Sequence, residues 1–378
     1  MPIATYPLTL QVLAALAVAL VVSLVATPPV KWFAERVGAI DVPKDSRRIH
    51  KEPIPRLGGL AIFIGFVISV ILFAEIDLEI QGVLLGSLLI VSVGVVDDIV
   101  PLRAWQKFIT QIMAALIPIF HGVSIDLLSN PNIFSPENYI NLGIFAIPLT
   151  VLWIVGITNA VNLIDGLDGL AVGVSTISSL TMLLVALLVT EDANVALVLA
   201  ALAGACLGFM PYNLNPAKIF MGDTGALLLG FLLATMSIQG LFKSYAIISF
   251  AVPFIALALP ILDTLFAIIR RALKGQNPMS PDRGHLHHRL LDLGFSQKQV
   301  VFIIYLISGF LGLIAVVMTS SGDVRVIFML LAFLVVAVTV FIASRSTILK
   351  PNGKCEPDGA DEAELEGQTR IGDDDEAD

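Results

Sequence analysis

A chain of 378 residues in which 57% are hydrophobic and 14% charged is not an ordinary soluble domain, where about a quarter of residues carry charge. Its formal charge of −9 says nothing about the body, because residues 351–378 hold eleven acids and two bases and leave the rest neutral. No connecting segment is long enough to hold a soluble domain, so the expectation is one membrane-embedded body, 1–350, with a disordered acidic tail, 351–378.

From the N-terminus, eleven apolar stretches follow at about 7–26, 57–74, 80–96, 104–121, 142–157, 169–190, 194–211, 224–240, 245–269, 299–319 and 323–344. Each approaches the ~20 residues a helix needs to cross the hydrocarbon core. These runs are too long for strands, and a bilayer admits only helices or closed barrels. The fold class is therefore an all-α polytopic membrane protein with about eleven transmembrane helices. The first stretch has no basic residue before it and reads as a retained helix rather than a cleaved signal. Of the 22 Lys and Arg residues, all but Lys243 and Arg325 fall at 27–56, 97–107, 212–223, 270–298 or after residue 344. Positive charge marks the cytoplasmic face, placing the N-terminus outside and the C-terminus in the cytoplasm. Cys206, in a span, and Cys355, in the tail, form neither a disulfide pair nor a metal site.

The residues able to do chemistry gather on that same face. Asp97 and Asp98 close the third span. Adjacent carboxylates diverge on a helix but can serve one site if the helix frays, and their repulsion suits a metal or a general base. A solvated helix end is the plain alternative. Lys107 adds a cation that can meet a phosphate. Next comes Asn159-Ala-Val-Asn162-Leu-Ile-Asp165-Gly166-Leu-Asp168-Gly169. If the sixth helix starts here, Asp165 and Asp168 share a face, and the glycines admit a ligand or a neighbouring backbone. Capping accounts for one of these polar residues but not for all of them.

Residues 213–225 read NLNPAKIFMGDTG, with Asp223 at a helix start. A carboxylate there is best explained if it holds Mg2+ that in turn holds phosphates, although an N-cap is the simpler role. Phe220 offers a face for base stacking, and lipid-facing packing competes with that reading. Finally, Arg283, His285, His287 and His288 lie in DRGHLHHRL, which contains three of the five histidines. Without partner cysteines this matches no closed zinc site, and a clamp for a phosphorylated substrate is preferred over a solvated loop.

VVDDI, ITNAVNLIDGLDGL, NPAKIFMGDTG and DRGHLHHRL, in this order and with PRLGGLAIF and FAIIRR around them, resemble the bacterial polyprenyl-phosphate N-acetylhexosamine-1-phosphate transferases. The likeness is greatest to the undecaprenyl-phosphate N-acetylglucosamine branch and covers roughly residues 27–300. It implies transfer of GlcNAc 1-phosphate from UDP-GlcNAc to undecaprenyl phosphate at the inner face of the cell membrane, releasing UMP, with Mg2+ (or Mn2+) as cofactor. It further implies Asp97 and Asp98 as catalytic acids, with Asp98 close to the metal and Asp223 a metal ligand. Lys107, Asn162, Asp165, Gly166, Asp168, Asn213, Phe220, Arg283, His285, His287 and His288 are the implied substrate-binding residues. Asp263, within the ninth span, fits the family pattern without an evident role. A homodimer is compatible with the likeness, and no nucleic-acid partner is expected. The related phospho-MurNAc-pentapeptide transferase is disfavoured because the loop reads GHLHHRL, with Leu286 interrupting the histidines, rather than that branch's consecutive-histidine pattern. A nucleotide-sugar or lipid transporter is disfavoured by the surface placement of the acids and the absence of inverted halves. The product would be the first lipid-linked intermediate of an envelope polymer.

Overall fold

A computed structural model describes residues 7–42, 53–129, 139–190, 192–242, 254–273 and 285–319, together with Met329. The expected span at 323–344 (apart from Met329), the acidic tail and Arg283 lie outside these residues. Six of the described helices are long and apolar enough to cross a membrane, and two shorter apolar helices accompany them. The chain is predominantly helical, in keeping with a multi-pass membrane protein.

The first helix, α1 (Leu8–Val37), has 30 residues and continues well past the expected boundary at 26. At 1.5 Å per residue it is about 45 Å long, more than the ~30 Å hydrocarbon core requires. It runs through Pro28 and Pro29 and stops at Gly38, whose left-handed φ of +76° suits the residue after a helix. After it come α2 (Gly58–Phe73), α3 (Leu78–Ile99), α4 (Ala104–Phe120), α5 (Ala146–Ile164), α6 (Leu170–Val185), α7 (Ala193–Asn213) and α8 (Gly222–Ser237). Asp77 and Asp192 accept backbone N–H groups at the starts of α3 and α7, which fixes those two boundaries. The described part ends with α9 (Ala258–Leu273), the short α10 (Leu286–Asp292) and α11 (Gln297–Thr319).

Two small antiparallel ladders are additions to the expected all-helical chain: β1 (Ile40–Asp41) with β2 (Ile54–Pro55), and β3 (Leu127–Ser129) with β4 (Tyr139–Asn141). Both lie in connections between helices.

Burial decides the arrangement. Every residue of α8 from Thr224 to Ser237 is buried, so this helix is apolar on all sides and forms the axis of the bundle. Helices α2, α3, α5 and α6 pack around it, and α7 is clasped by α1 and α6. Small residues bring these backbones close: a Cβ on Gly204 or Gly208 of α7 would stand 2.2 Å from a carbonyl oxygen of α1. The N-terminal end of the axial helix is where the polar residues collect.

Candidate active site

Helix α8 begins at Gly222, whose φ of +70° is left-handed and where a Cβ would lie 2.3 Å from Asp98 Oδ2. Asp98, on the last turn of α3, caps this helix from outside. Its Oδ1 accepts the Asp223 N–H at 3.0 Å, and its Oδ2 accepts the Thr224 N–H at 3.0 Å and the Thr224 hydroxyl at 2.6 Å. A helix start leaves such N–H groups without internal partners, so a buried carboxylate there is well satisfied.

Asp97 points the other way. Its Oδ1 accepts the Leu102 N–H at 2.7 Å, and its Oδ2 lies 3.2 Å from Lys107 Nζ. The helix does not fray at Asp97–Asp98: α3 stays helical to Ile99, and the two carboxylates take different partners. Lys107 joins one of them to the axial helix: its ammonium donates to Asp223 Oδ2 at 2.7 Å. Asn162 Nδ2 donates to the other oxygen, Asp223 Oδ1, at 3.3 Å. Asp97, Lys107, Asn162 and Asp223 therefore form one connected group built from α3, α4, α5 and α8.

Asp165 and Asp168 do not share a helix face as anticipated. Helix α5 runs on to Ile164, Asp165 is its C-terminal cap, and Gly169, with φ of +80°, caps the start of α6. Both acids lie in the turn between, where Gly166 and Gly169 interrupt the helical run. The Asp165 carboxyl accepts no hydrogen bond among the described residues. Burial first, then the charges of Asp223, Asp98 and Asp168, push its pKa up to about 8, while Arg56 opposes them. Such an under-compensated cluster of carboxylates is the donor chemistry of a hard divalent cation. Among the described residues no three His, Cys, Asp or Glu side chains already converge as ligands. An ion here would take one or two carboxylates, Asp165 and Asp223, and complete its shell with water and phosphate.

Other expected contact residues also brace the turn. Asp168 Oδ2 accepts from Asn215 Nδ2 at 2.9 Å and from the Ala217 N–H at 3.1 Å. Asn213, 3% exposed, accepts the Gly169 N–H at 3.2 Å and donates to the Ile219 carbonyl at 3.1 Å. The Tyr305 hydroxyl of α11 donates to the Gly169 carbonyl. Phe220 is half-buried and held through its backbone, its N–H reaching the Pro55 carbonyl at 2.8 Å and its carbonyl accepting the Gly58 N–H at 2.9 Å. The PRLGG segment is thus the rail along which FMGD is laid.

His285 and His287 are buried, and the His288 ring centroid lies 4.3 Å from that of His287. His287 covers the turn so closely that a Cβ on Gly166 would stand 2.5 Å from its Nε2. Gly166 therefore admits a neighbouring side-chain ring, where the sequence suggests a ligand or a backbone. Burial, reinforced by His288, holds the His287 imidazole down to a pKa of about 4.

Beside this polar group, α5 and α9 border an open apolar cavity of about 450 Å3, lined by residues that include Trp153, Ile157, Ala160, Ile261 and Leu265. Ala160 is about 6 Å along α5 from Ile164, at the 1.5 Å helical rise, so the cavity and the acidic turn share one helix.

Sequence reasoning missed Gln111, Asn215 and Arg56. Gln111 is 4% exposed and accepts from Asn159 Nδ2 at 2.5 Å. A lone amide in the apolar run of α4 was the available signal. Asn215, inside a quoted motif, also donates to Gln297 Oε1 at 2.8 Å, a contact no local pattern foretells.

The sequence profile described as Glycosyl transferase family 4 matches residues 80–241. The chain is 42% identical over 329 residues to a Bacillus subtilis protein named as a probable undecaprenyl-phosphate N-acetylglucosaminyl 1-phosphate transferase, covering 86% of this chain and 90% of that one. It is 36% identical over 330 residues to the decaprenyl-phosphate N-acetylglucosaminephosphotransferase of Mycobacterium tuberculosis, covering 80% of each. It is also 31% identical over 337 residues to the phospho-N-acetylmuramoyl-pentapeptide-transferase of Desulfitobacterium hafniense, covering 82% of this chain and 98% of the relative.

Proposed function

The chain belongs to glycosyl transferase family 4, the polyprenyl-phosphate hexosamine-1-phosphate transferases, and from that membership we propose its reaction and the residues that carry it. It transfers N-acetylglucosamine 1-phosphate to undecaprenyl phosphate, the first lipid-linked step of an envelope polymer. The donor is UDP-GlcNAc and the by-product UMP. Identity of 42% to the N-acetylglucosaminyl enzyme, against 31% to the pentapeptide enzyme, favours this sugar.

The observation that carries the reading is Lys107, whose ammonium lies between Asp223 Oδ2 and Asp97 Oδ2 at 2.7 and 3.2 Å. In phosphoryl transfer, positioning and charge neutralisation supply most of the rate. Lys107 meets incoming phosphate charge and offsets the repulsion between the two carboxylates it bridges. Asp97 Oδ2 accepts the remaining proton of the acceptor monophosphate, whose second pKa is about 6. Asp165 and Asp223 would hold Mg2+, which when bound neutralises the diphosphate of the donor. Asp98 aims the start of α8 at the same place, and Asn162 keeps Asp223 Oδ1 oriented.

The apolar cavity between α5 and α9 suits an isoprenoid chain entering from the bilayer, since it is lined by apolar side chains and lies on the helix that ends at Asp165. The positive-inside pattern supports eleven spans with the N-terminus outside, so that the site faces the cytoplasm where a nucleotide sugar is available. The His285–His288 segment closes over the Asp165–Gly166 turn and so takes the sugar-phosphate side of the donor.

The test is purified protein supplied in turn with labelled UDP-GlcNAc and with UDP-MurNAc-pentapeptide, each with undecaprenyl phosphate and Mg2+. UMP release with the first alone is expected. Release with the second alone, or sugar movement without UMP, would replace this reading by the pentapeptide enzyme or by a transporter.

A further inference from the structure

Asp263 stands in the first half of α9, among apolar residues well before the terminal Arg270 and Arg271, where a carboxylate needs a partner to remain. Its partners lie on the histidine segment. Asp263 Oδ2 is 2.8 Å from His285 Nδ1, and Asp263 Oδ1 accepts the Leu286 N–H at 2.8 Å. The two side chains are 7% (His285) and 8% (Asp263) exposed. Leu286 is the first residue of α10, and His285 supplies no side-chain cap of its own, so the carboxylate of a distant helix caps it. Because a carboxylate only accepts, His285 Nδ1 carries a proton and donates it to Asp263, which fixes the direction of the ring.

That ring is one end of a stack. His285 and His287 lie nearly parallel, 7° apart, with centroids 5.7 Å from one another. His287, 3% exposed, in turn rests on Gly166. The row Asp263, His285, His287, Gly166 therefore leads from α9 to the turn that carries Asp165. The same stretch of α9 presents Ile261, Thr264 and Leu265 to the apolar cavity, so one helix borders the proposed acceptor groove and anchors the donor-side wall.

We propose that Asp263 is a positioning residue of the transfer reaction, acting through His285 to seat the histidine segment against the Asp165–Gly166 turn. This rests on the donor assignment above. Asp263→Asn keeps an acceptor for the Leu286 N–H but places an amide donor opposite His285 Nδ1, which forces the ring into the other tautomer or turns it away. A merely structural anchor is indifferent to that exchange, since size and the backbone bond are preserved.

The experiment is a double-mutant cycle on the full chain with Asp263→Asn, His285→Ala and the pair, with Asp263→Glu alongside, read as kcat and as KM for each substrate. Wild-type protein fixes the donor first: if UDP-GlcNAc gives no UMP, the donor assignment fails and the cycle is run with the UDP-sugar that does. Expected is a loss of about 10- to 100-fold in kcat/KM for the donor in either single variant. The pair should be no worse than the more impaired single, Asp263→Glu should be better than Asp263→Asn, and the KM for undecaprenyl phosphate should move less than about twofold. Multiplying losses, an equal rise in both KM values, or full activity in Asp263→Asn would overturn the proposal. If Asp263→Asn fails to insert, the donor-selective loss must still appear in His285→Ala and in Asp263→Glu, and its absence there is equally decisive against it.

Discussion

Asp98 grips Thr224 twice, taking its backbone N–H at 3.0 Å and its hydroxyl at 2.6 Å on a single carboxylate oxygen. The bond ties the end of α3 to the start of the axial helix, 126 residues further along the chain. Its consequence is a division of labour between neighbours, with Asp98 holding the scaffold and Asp97 facing Lys107.

Thermal stability should separate the two acids. Asp98→Ala strands three donors at a buried helix start, each bond to a charged group being worth about 1.5–3 kcal/mol, so a pronounced drop in melting temperature in detergent is expected. Thr224→Val removes the hydroxyl alone and should cost about 1–2 kcal/mol with much of the activity kept. Asp97→Asn should melt near wild type and lose activity. Equal melting of Asp98→Ala and wild type would refute the capping role.

The groove can be filled without disturbing the bundle. Gly156 lines the apolar cavity, and a Cβ built there meets nothing within 4 Å. Gly156→Phe should raise the KM for undecaprenyl phosphate at least about tenfold, equivalent to ~1.4 kcal/mol, while the KM for UDP-GlcNAc stays within about twofold. A rise confined to the nucleotide sugar would place the lipid elsewhere.

Acid should loosen the histidine segment. Burial holds the folded-state pKa of His287 down at about 4, below the ordinary histidine value of 6.5, so the unfolded chain takes up a proton first as pH falls. No penalty applies above pH 6.5; it grows as pH drops from there to about 4 and is constant below. Thermal melting followed from pH 7.5 to 4.5 should fall less steeply for His287→Phe than for wild type. Parallel curves would show that His287 is not buried neutral.

Orientation is open to labelling. Ile76, between α2 and α3, and Pro101, between α3 and α4, are both exposed and lie at opposite ends of α3. A cysteine at Ile76 should react with an impermeant thiol reagent in intact cells and one at Pro101 should not. The reverse pattern would turn the site outward and invalidate a cytoplasmic donor.

Much of this was legible in the sequence because apolar runs of bilayer length have few alternatives, and the described helices fall close to the anticipated spans. Boundaries moved where polar residues continue a helix beyond the apolar run, as at 27–37 of α1 and 158–164 of α5. The grouping of Asp97, Lys107, Asn162 and Asp223 followed from their placement at one face, but partner choice did not. That Asp98 caps α8 and that Asp168 accepts from Asn215 depends on contacts between residues 47 to 126 apart. No local pattern records these. Asp263 shows the same limit: its chemistry was visible, while its partner lay 22 residues away on another helix.

The central claim is that phosphoryl transfer takes place at the start of α8, with Asp223 held between Lys107 and Asn162. The most direct measurement is UMP release by purified Asp223→Asn, alongside its melting curve. The substitution keeps the size of the side chain, the Asp98 cap uses only the backbone N–H of this residue, and no apolar contact changes. The account predicts a melting temperature close to wild type and a loss of kcat of at least about a thousandfold, some 4 kcal/mol of transition-state stabilisation. A folded Asp223→Asn protein that releases UMP at the wild-type rate under ordinary Mg2+ would contradict it.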